Sequence, residues 1–178
     1  MAHAEVKPER RASVGARSFS TDVLQPGALA GLFGGLLVAA FAVLACGNMG
    51  IYLLEPFRWM GASFQGMQPG AGAATVLFGV LLHVIMSALF GVLFAAIVRR
   101  DLRIEVALLI GMAYGAALMV LMTFIVIPLV NPFLREQVRL MEGPWIIGHL
   151  MYGACLASLP ALRSRVRARR EGRLAAPA

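Results

Sequence analysis

Two histidines in otherwise apolar sequence are the residues whose type and spacing could carry chemistry. His83 lies sixteen residues before Arg99, and His149 lies fourteen residues before Arg163. If both segments are helices that end with these arginines at one membrane surface, a rise of about 1.5 Å per residue puts the imidazoles about 24 and 21 Å from it. The spacing therefore predicts two ionisable side chains at nearly equal depth, where such groups are costly and call for a hypothesis.

Three interpretations of this histidine pair are open. Two neutral imidazoles on small-residue faces could be the axial ligands of a b-type haem, because glycine or serine beside them leaves room for the macrocycle. An imidazole also titrates near neutral pH, which suits a proton or quinone site, and Glu142 is a candidate partner for His149. The interpretation we favour is structural: each histidine bonds to a carbonyl or hydroxyl of a neighbouring helix, an interaction of about 0.6 kcal/mol on average.

The elements that must position these histidines are transmembrane helices. The chain has 178 residues, of which 60% are hydrophobic and 14% charged, and its mean hydropathy is +0.79. An ordinary soluble domain is roughly 25% charged, so this composition indicates lipid as part of the solvent. Four long runs lack Asp, Glu, Lys and Arg, and a helix that crosses a bilayer needs about 20 such residues. We predict an all-α, four-helix membrane bundle with helices at 27–54, 72–98, 105–129 and 144–162.

Positive charge is distributed unequally around these four helices. Of the 16 Lys and Arg residues, all but Arg58, Arg135 and Arg139 fall before the first helix, between the second and third, or after the fourth. Short basic segments stay in the cytoplasm, so the sequence predicts that both termini are cytoplasmic. Residues 1–26 are predicted to be a disordered basic tail. Residues 163–178 are predicted to be an Arg-rich tail that also binds anionic lipid headgroups. The net charge of +7 is thus a topology signal and does not indicate nucleic-acid binding.

The two halves of the transmembrane domain, 27–162, follow one plan, which predicts two tandem helical hairpins of like orientation. Each half has a glycine-rich helix, an outer loop with a Pro-Phe pair (56–57 and 132–133), and a histidine-containing helix that ends in arginine. Small residues four apart let backbones approach closely in lipid. We expect these small-residue faces to meet in the centre of the bundle. Their members are Gly31, Gly35, Gly79, Ser87, Gly91, Gly111, Gly115 and Gly153.

Other chemistry is not indicated by the sequence. Cys46 and Cys155 have no paired spacing, so we interpret them as small buried hydrophobes and predict no metal site. The stretch 43–47 faintly resembles a lipoprotein cleavage site, but Leu44 fits that site poorly and we expect the first helix to remain uncleaved. The sequence contains no phosphate-binding loop, nucleophile triad or carboxylate dyad, and we predict no catalytic residue.

The pattern of a histidine followed four residues later by a small residue occurs twice, as His83 with Ser87 and His149 with Gly153. Repeated after glycine-rich helices, it resembles small four-helix families of the bacterial inner membrane whose function is unknown. The resemblance implies that fold and location but carries over no activity. We predict an accessory, structural or assembly subunit, in a homo-oligomer or a larger membrane complex, that is not an enzyme by itself. The alternatives are a haem b electron carrier using His83 and His149, and a small transporter or proton or quinone-site protein.

Overall fold

The computed structural model describes residues 19–62, 72–99, 102–130 and 132–175, and all regular structure in these ranges is helical. Four of the described helices are long and apolar enough to cross a membrane. The predicted all-α four-helix bundle is therefore confirmed. The elements are α1 (Ser20–Asn48), α2 (Glu55–Ala62), α3 (Ala73–Ile97), α4 (Ile104–Val130), α5 (Pro132–Leu140) and α6 (Glu142–Cys155 and Leu159–Ala175, joined by a 3₁₀ turn at Leu156–Ser158).

The first helix starts and ends earlier than the predicted range of 27–54. It is already helical at Ser20, so part of the segment predicted as a disordered tail belongs to α1; residues 1–18 lie outside the described ranges. Its end is set by Gly50, which has a φ of 70°. The N–H of Gly50 donates to the carbonyl of Gly47 at 3.2 Å, and the N–H of Ile51 donates to that of Cys46 at 2.9 Å. This is the Schellman arrangement that closes many helices on a glycine.

The last helix is longer than predicted. It continues past 162 to Ala175, so most of the segment predicted as an Arg-rich tail extends α6. Arginine and alanine, which dominate this segment, are strong helix formers. A long-range bond also holds the extension against the start of α1, because Nε of Arg167 donates to Oδ1 of Asp22 at 2.8 Å.

The spanning helices α4 and α6 each continue through a proline. A proline has no N–H to donate to the carbonyl four residues earlier, which disturbs the regular α-helical ladder. Before Pro128 the backbone widens into a π turn at Met122–Val126, and before Pro160 it tightens into the 3₁₀ turn at Leu156–Ser158. These local adjustments accommodate the prolines without ending either helix.

The helices pair as two hairpins of like orientation, as the tandem plan predicts. In the first hairpin α1 packs along α3, and in the second α4 packs along α6. The hairpins meet mainly where α1 packs against α6. Each Pro-Phe pair lies at the beginning of a short connecting helix, α2 in the first hairpin and α5 in the second. α2 lies against α3, where it covers the half of that helix that begins at Ala73.

Large side chains fill the centre of the bundle, which differs from the expectation that the small-residue faces meet there. Phe94 and Leu156 are completely buried in the main core cluster, and Tyr152 is 7% exposed. The small-residue faces pair inside each hairpin instead: Gly31 lies against Gly91, and Gly111 lies against Gly153. Close backbone contact therefore forms the hairpins, and bulky side chains join them.

Candidate functional site

His83 lies where three helices of the first hairpin converge. Its Nε2 is 2.9 Å from the carbonyl oxygen of Gly35 on α1. The ring of Phe57 on α2 meets the imidazole edge-on, with ring centroids 5.8 Å apart. Because a carbonyl can only accept, this contact assigns the ring proton to Nε2 and leaves the lone pair on Nδ1. His83 thus bonds α3 to α1 through a backbone carbonyl.

His149 lies in the second hairpin and bonds within its own helix. Its Nδ1 is 2.9 Å from the carbonyl oxygen of Trp145, one turn earlier on α6. The indole of Trp145 packs on the imidazole, with ring centroids 4.4 Å apart, and its Nε1 donates to Oγ1 of Thr123 on α4 at 2.9 Å. Glu142, the predicted partner of His149, is exposed and does not take that role. The unit formed by His149, Trp145 and Thr123 joins α6 to α4.

The two imidazoles lie at comparable depths, but their contacts belong to different hairpins. His83 lies beside Gly35, and the backbone at Gly148 lies beside Val38, about one turn further along α1. A haem with two histidine ligands requires both imidazoles to direct a lone pair at one iron. Nε2 of His83 donates to Gly35 and Nδ1 of His149 donates to Trp145, which leaves the lone pairs on Nδ1 of His83 and Nε2 of His149. The two rings are thus held by bonds in different hairpins. Among the described residues no group of three or more His, Cys, Asp or Glu side chains could hold a metal ion.

The small residues around the histidines are required for close backbone approach. A Cβ at Gly35 would overlap the side chain of Ser87, and a Cβ at Gly115 would overlap the carbonyl oxygen of His149. Gly79, which was grouped with the bundle centre, lies beneath the outer helix α2, where a Cβ would overlap the carbonyl of Phe57. The small-residue pattern of the sequence thus corresponds to three separate interfaces: α1 with α3, α2 with α3, and α4 with α6.

Two tyrosines that the sequence analysis did not single out connect the hairpins. The hydroxyl of Tyr152 on α6 donates to the carbonyl of Ser87 at 2.7 Å, and that of Tyr114 on α4 donates to the carbonyl of Phe90 at 2.9 Å. Both acceptors are on α3, so each bond crosses from the second hairpin to the first. Carbonyls inside a helix keep a second lone pair for such bonds. A tyrosine within an apolar run indicates that its hydroxyl needs a hydrogen-bond partner inside the bundle. Which carbonyl accepts that bond depends on tertiary packing and could not be predicted from the sequence.

Arg163 is a buried cation where the start of α1, the end of α3 and the extension of α6 meet. Its side chain donates to the carbonyls of Asp22 (Nε, 2.8 Å), Ala95 (Nη2, 2.7 Å) and Arg99 (Nη1, 3.0 Å). The residue is only 3% exposed. In the sequence analysis Arg163 counted only as a charge at the membrane surface. The structure shows that it also joins the ends of α1, α3 and α6.

The short helices α2 and α5 carry their own ion pairs. Arg58 pairs with Glu55 on α2, with Nε 2.6 Å from Oε2. This hydrogen bond to the carboxylate raises the pKa of Arg58. On α5, Arg139 lies 3.8 Å from Glu136. Two of the three arginines on the predicted outer side therefore have an acidic neighbour.

Cys46 is enclosed within the fold. It is 0% exposed, clusters with Trp59 and Met141, and its Sγ lies 3.8 Å from Sδ of Met141. α1 continues through this position to Asn48. A cysteine packed in this way behaves as a small hydrophobe, and the contacts favour an intact first helix.

No protein-family model, curated protein or solved structure matches the chain.

Proposed function

We propose that this chain is a non-enzymatic helical scaffold of the bacterial cytoplasmic membrane, acting as an accessory or assembly subunit of a membrane complex. The observation that carries this proposal is the use of the polar groups inside the spans. His83, His149, Tyr114 and Tyr152 each bond to a backbone carbonyl within the bundle. Three of these bonds join two helices, and His149 packs on Trp145, which bonds to Thr123 on α4. Groups that could have handled a proton, an electron or a cofactor thereby hold helices together.

Both termini are cytoplasmic in this proposal. The basic segments before α1, between α3 and α4, and in the extended α6 favour that orientation. α2 and α5 then lie on the opposite side, where fewer arginines occur. Charge at the cytoplasmic surface would also draw anionic lipid to the extended α6.

The face that we assign to a partner is that of α4. A subunit that acts through another protein needs an exposed surface where that protein can bind. Among the four spans, α4 is the least buried within the bundle. Leu109 and Phe124 are 69% and 71% exposed on this helix. In lipid, such a face can be covered by acyl chains or by another helix, and the proposal assigns it a helix of a partner subunit or of a second copy of this chain.

Site-specific photocrosslinking in the native membrane tests the assignment. A benzophenone amino acid would be placed at Leu109 or Phe124 of the full chain, and Leu36 on α1 provides a control because it is also 69% exposed. We expect the two α4 positions to give the same discrete protein adduct, with little or none from Leu36.

The mass of the adduct separates the two kinds of partner. An adduct of twice the chain mass indicates self-association, and another constant mass indicates a different subunit. Crosslinking to lipid alone from both α4 positions, or equal protein adducts from Leu36, would contradict the assignment of α4.

A further inference from the structure

A groove lies between the last turns of α4 and the short helix α5, and its volume is about 400 Å³. Neither histidine lines it. The lining side chains are Thr123, Phe124, Ile127 and Pro128 on α4, and Arg135, Val138 and Arg139 on α5. The three residues of α5 are spaced three and four apart, so they share one face of that helix. The groove is therefore formed by one face of α5 against the end of a spanning helix.

The groove has an apolar base and a cationic rim. Ile127 and Val138 are buried, whereas Arg135 and Arg139 are exposed. Thr123 adds one polar group: its Oγ1 accepts a hydrogen bond from Nε1 of Trp145 at 2.9 Å. A hydroxyl that accepts in this way keeps its own proton for a second bond. The lining thus offers apolar contact, one hydroxyl donor and two cations, which is the chemistry that complements the acyl chains, ester carbonyls and phosphate of a phospholipid.

The depth of the groove matches the boundary between hydrocarbon and headgroups. Glu105 is the last charged residue before the apolar run of α4, and Thr123 and Pro128 lie eighteen and twenty-three residues after it. At the helical rise these positions are about 27 and 35 Å from Glu105. The hydrocarbon core is about 30 Å thick, and the headgroup region extends roughly 5–8 Å beyond it. α5 returns from the end of α4 to the start of α6, where Trp145 is level with Thr123, so its arginines lie in the headgroup layer.

The charges that line the groove are open to an anion. The guanidinium of Arg135 has no hydrogen-bond or ion-pair partner among the residues that the structure describes. Arg139 has one acidic neighbour, Glu136, with Nη1 3.8 Å from Oε2. Both side chains of that pair are largely exposed, and such surface pairs are weak. Glu136 does not line the groove, so an anionic headgroup there meets two cations and no lining carboxylate.

We propose that this groove binds one anionic phospholipid, with its phosphate at Arg135 and Arg139, an ester carbonyl at the hydroxyl of Thr123, and an acyl chain along Phe124 and Ile127. A guanidinium is suited to this ligand because its planar set of donors matches phosphate oxygens. Phe124 is 71% exposed, so its ring can border the lipid and still face a partner helix. The site lies at the membrane surface opposite the Arg-rich end of α6, whichever of the two surfaces faces the cytoplasm.

Lipid titration of the full-length chain in a neutral detergent tests the groove. Native mass spectrometry would measure binding of phosphatidylglycerol, with phosphatidylcholine as the comparison of no net charge. The test variant is Arg135→Gln with Arg139→Gln. Its matched control is Arg103→Gln with Arg165→Gln, which removes equal charge from exposed arginines outside the groove; again one of the two has an acidic neighbour, Glu105. We expect the test variant to weaken phosphatidylglycerol binding roughly 30-fold, which corresponds to about 2 kcal/mol, and the control to change it less than about threefold.

A second variant tests the apolar wall of the groove. Phe124→Ala keeps every charge but removes a contact for the acyl chain, which both lipids possess, so we expect weaker binding of phosphatidylglycerol and of phosphatidylcholine. Leu109→Ala, at a position of similar exposure outside the groove, should leave both unchanged.

Four outcomes would each overturn the proposal. They are equal losses in the test and control pairs, unchanged lipid binding in Phe124→Ala, phosphatidylcholine binding as tight as that of phosphatidylglycerol in the parent chain, and displacement of the lipid by an equal concentration of inorganic phosphate. The last of these would show a site for phosphate rather than for a lipid.

Discussion

Three side chains with polar groups inside the bundle bond to backbone carbonyls of neighbouring helices, whereas Trp145 bonds to the hydroxyl of Thr123. His83 reaches Gly35, Tyr152 reaches Ser87, and Tyr114 reaches Phe90, each on another helix. Such bonds satisfy a donor that would be costly to leave unpaired in lipid, and they add little net stability because alternative partners exist in the unfolded chain. We therefore expect the close glycine contacts to matter more for stability than the histidines.

Gly111→Ala provides the first test at the scale of a residue. The added Cβ would overlap the carbonyl oxygen of Gly153, so α4 and α6 must move apart. We expect the free energy of unfolding in detergent to fall by about 1–3 kcal/mol. Gly143→Ala is the matched control, because no atom lies within 4 Å of the added Cβ, and its change should stay within about 0.5 kcal/mol.

The same measurement ranks glycine against histidine. Gly111→Leu should destabilise the chain more than His83→Ala, which removes one interhelical bond of about 0.6 kcal/mol on average. The opposite order would show that the account of the hairpin interface is wrong.

Arg163→Met tests the buried cation at the inner end. The substitution keeps an unbranched apolar side chain but removes the donors for the carbonyls of Asp22, Ala95 and Arg99. Hydrogen bonds from a charged group contribute about 1.5–3 kcal/mol, and the carbonyls left behind are neutral, so we expect the free energy of unfolding to fall by about 2–3 kcal/mol. Arg165→Met, at an exposed position on the same helix, should change it by less than about 0.5 kcal/mol. Equal melting behaviour of the two variants would refute the role given to Arg163.

At the scale of the elements, hydropathy and charge were sufficient to predict the four spans, because the signal extends over some twenty residues in each. The helix ends were harder to predict, since they depend on local and long-range contacts. The end of α1 depends on the positive φ of Gly50, and the extension of α6 depends on the bond between Arg167 and Asp22. The site was predictable in part: the depth of the histidines follows from helical rise, whereas their partners depend on how each helix is rotated in the bundle.

A designed disulfide tests how the two hairpins meet. A Cβ at Gly34 on α1 would lie 3.2 Å from Cβ of Cys155 on α6. Disulfides have Cβ separations of about 3.5–4.5 Å, so a small shift brings the pair into range. In a Cys46→Ser background, Gly34→Cys should form this bond on mild oxidation, and intact mass after alkylation would show both thiols protected. Gly143→Cys in the same background should keep two reactive thiols. Full alkylation of the Gly34→Cys protein would contradict the packing of α1 on α6.

At the scale of the whole molecule, the account assigns the extended α6 to the cytoplasm and α5 to the opposite side. Single cysteines at the exposed positions Glu136 and Ala168, in a chain without other cysteines, report this orientation. In intact spheroplasts, a membrane-impermeant maleimide should label Glu136→Cys, and it should label Ala168→Cys only after the membrane is permeabilised. The reverse pattern would mean that the distribution of arginines does not set the topology.

The whole molecule also has two kinds of helix-packing interface. Within each hairpin, backbones touch through small residues, and between hairpins the contacts come from large side chains and from the hydroxyls of Tyr114 and Tyr152. The sequence repeat therefore corresponds to two similar hairpins. The residues that join the hairpins to each other are not part of the small-residue pattern. This division explains why the sequence repeat predicted the hairpins but not the seam between them.

We propose that the intramembrane histidines hold helices and do not ligate a cofactor. The most direct test is the reduced-minus-oxidised absorption spectrum of the intact chain, purified in mild detergent from cells supplied with excess haem. We expect a spectrum without a haem alpha band, together with folded His83→Ala and His149→Ala variants that differ from the parent only in stability. A sharp alpha band in the parent that disappears in both variants would contradict it.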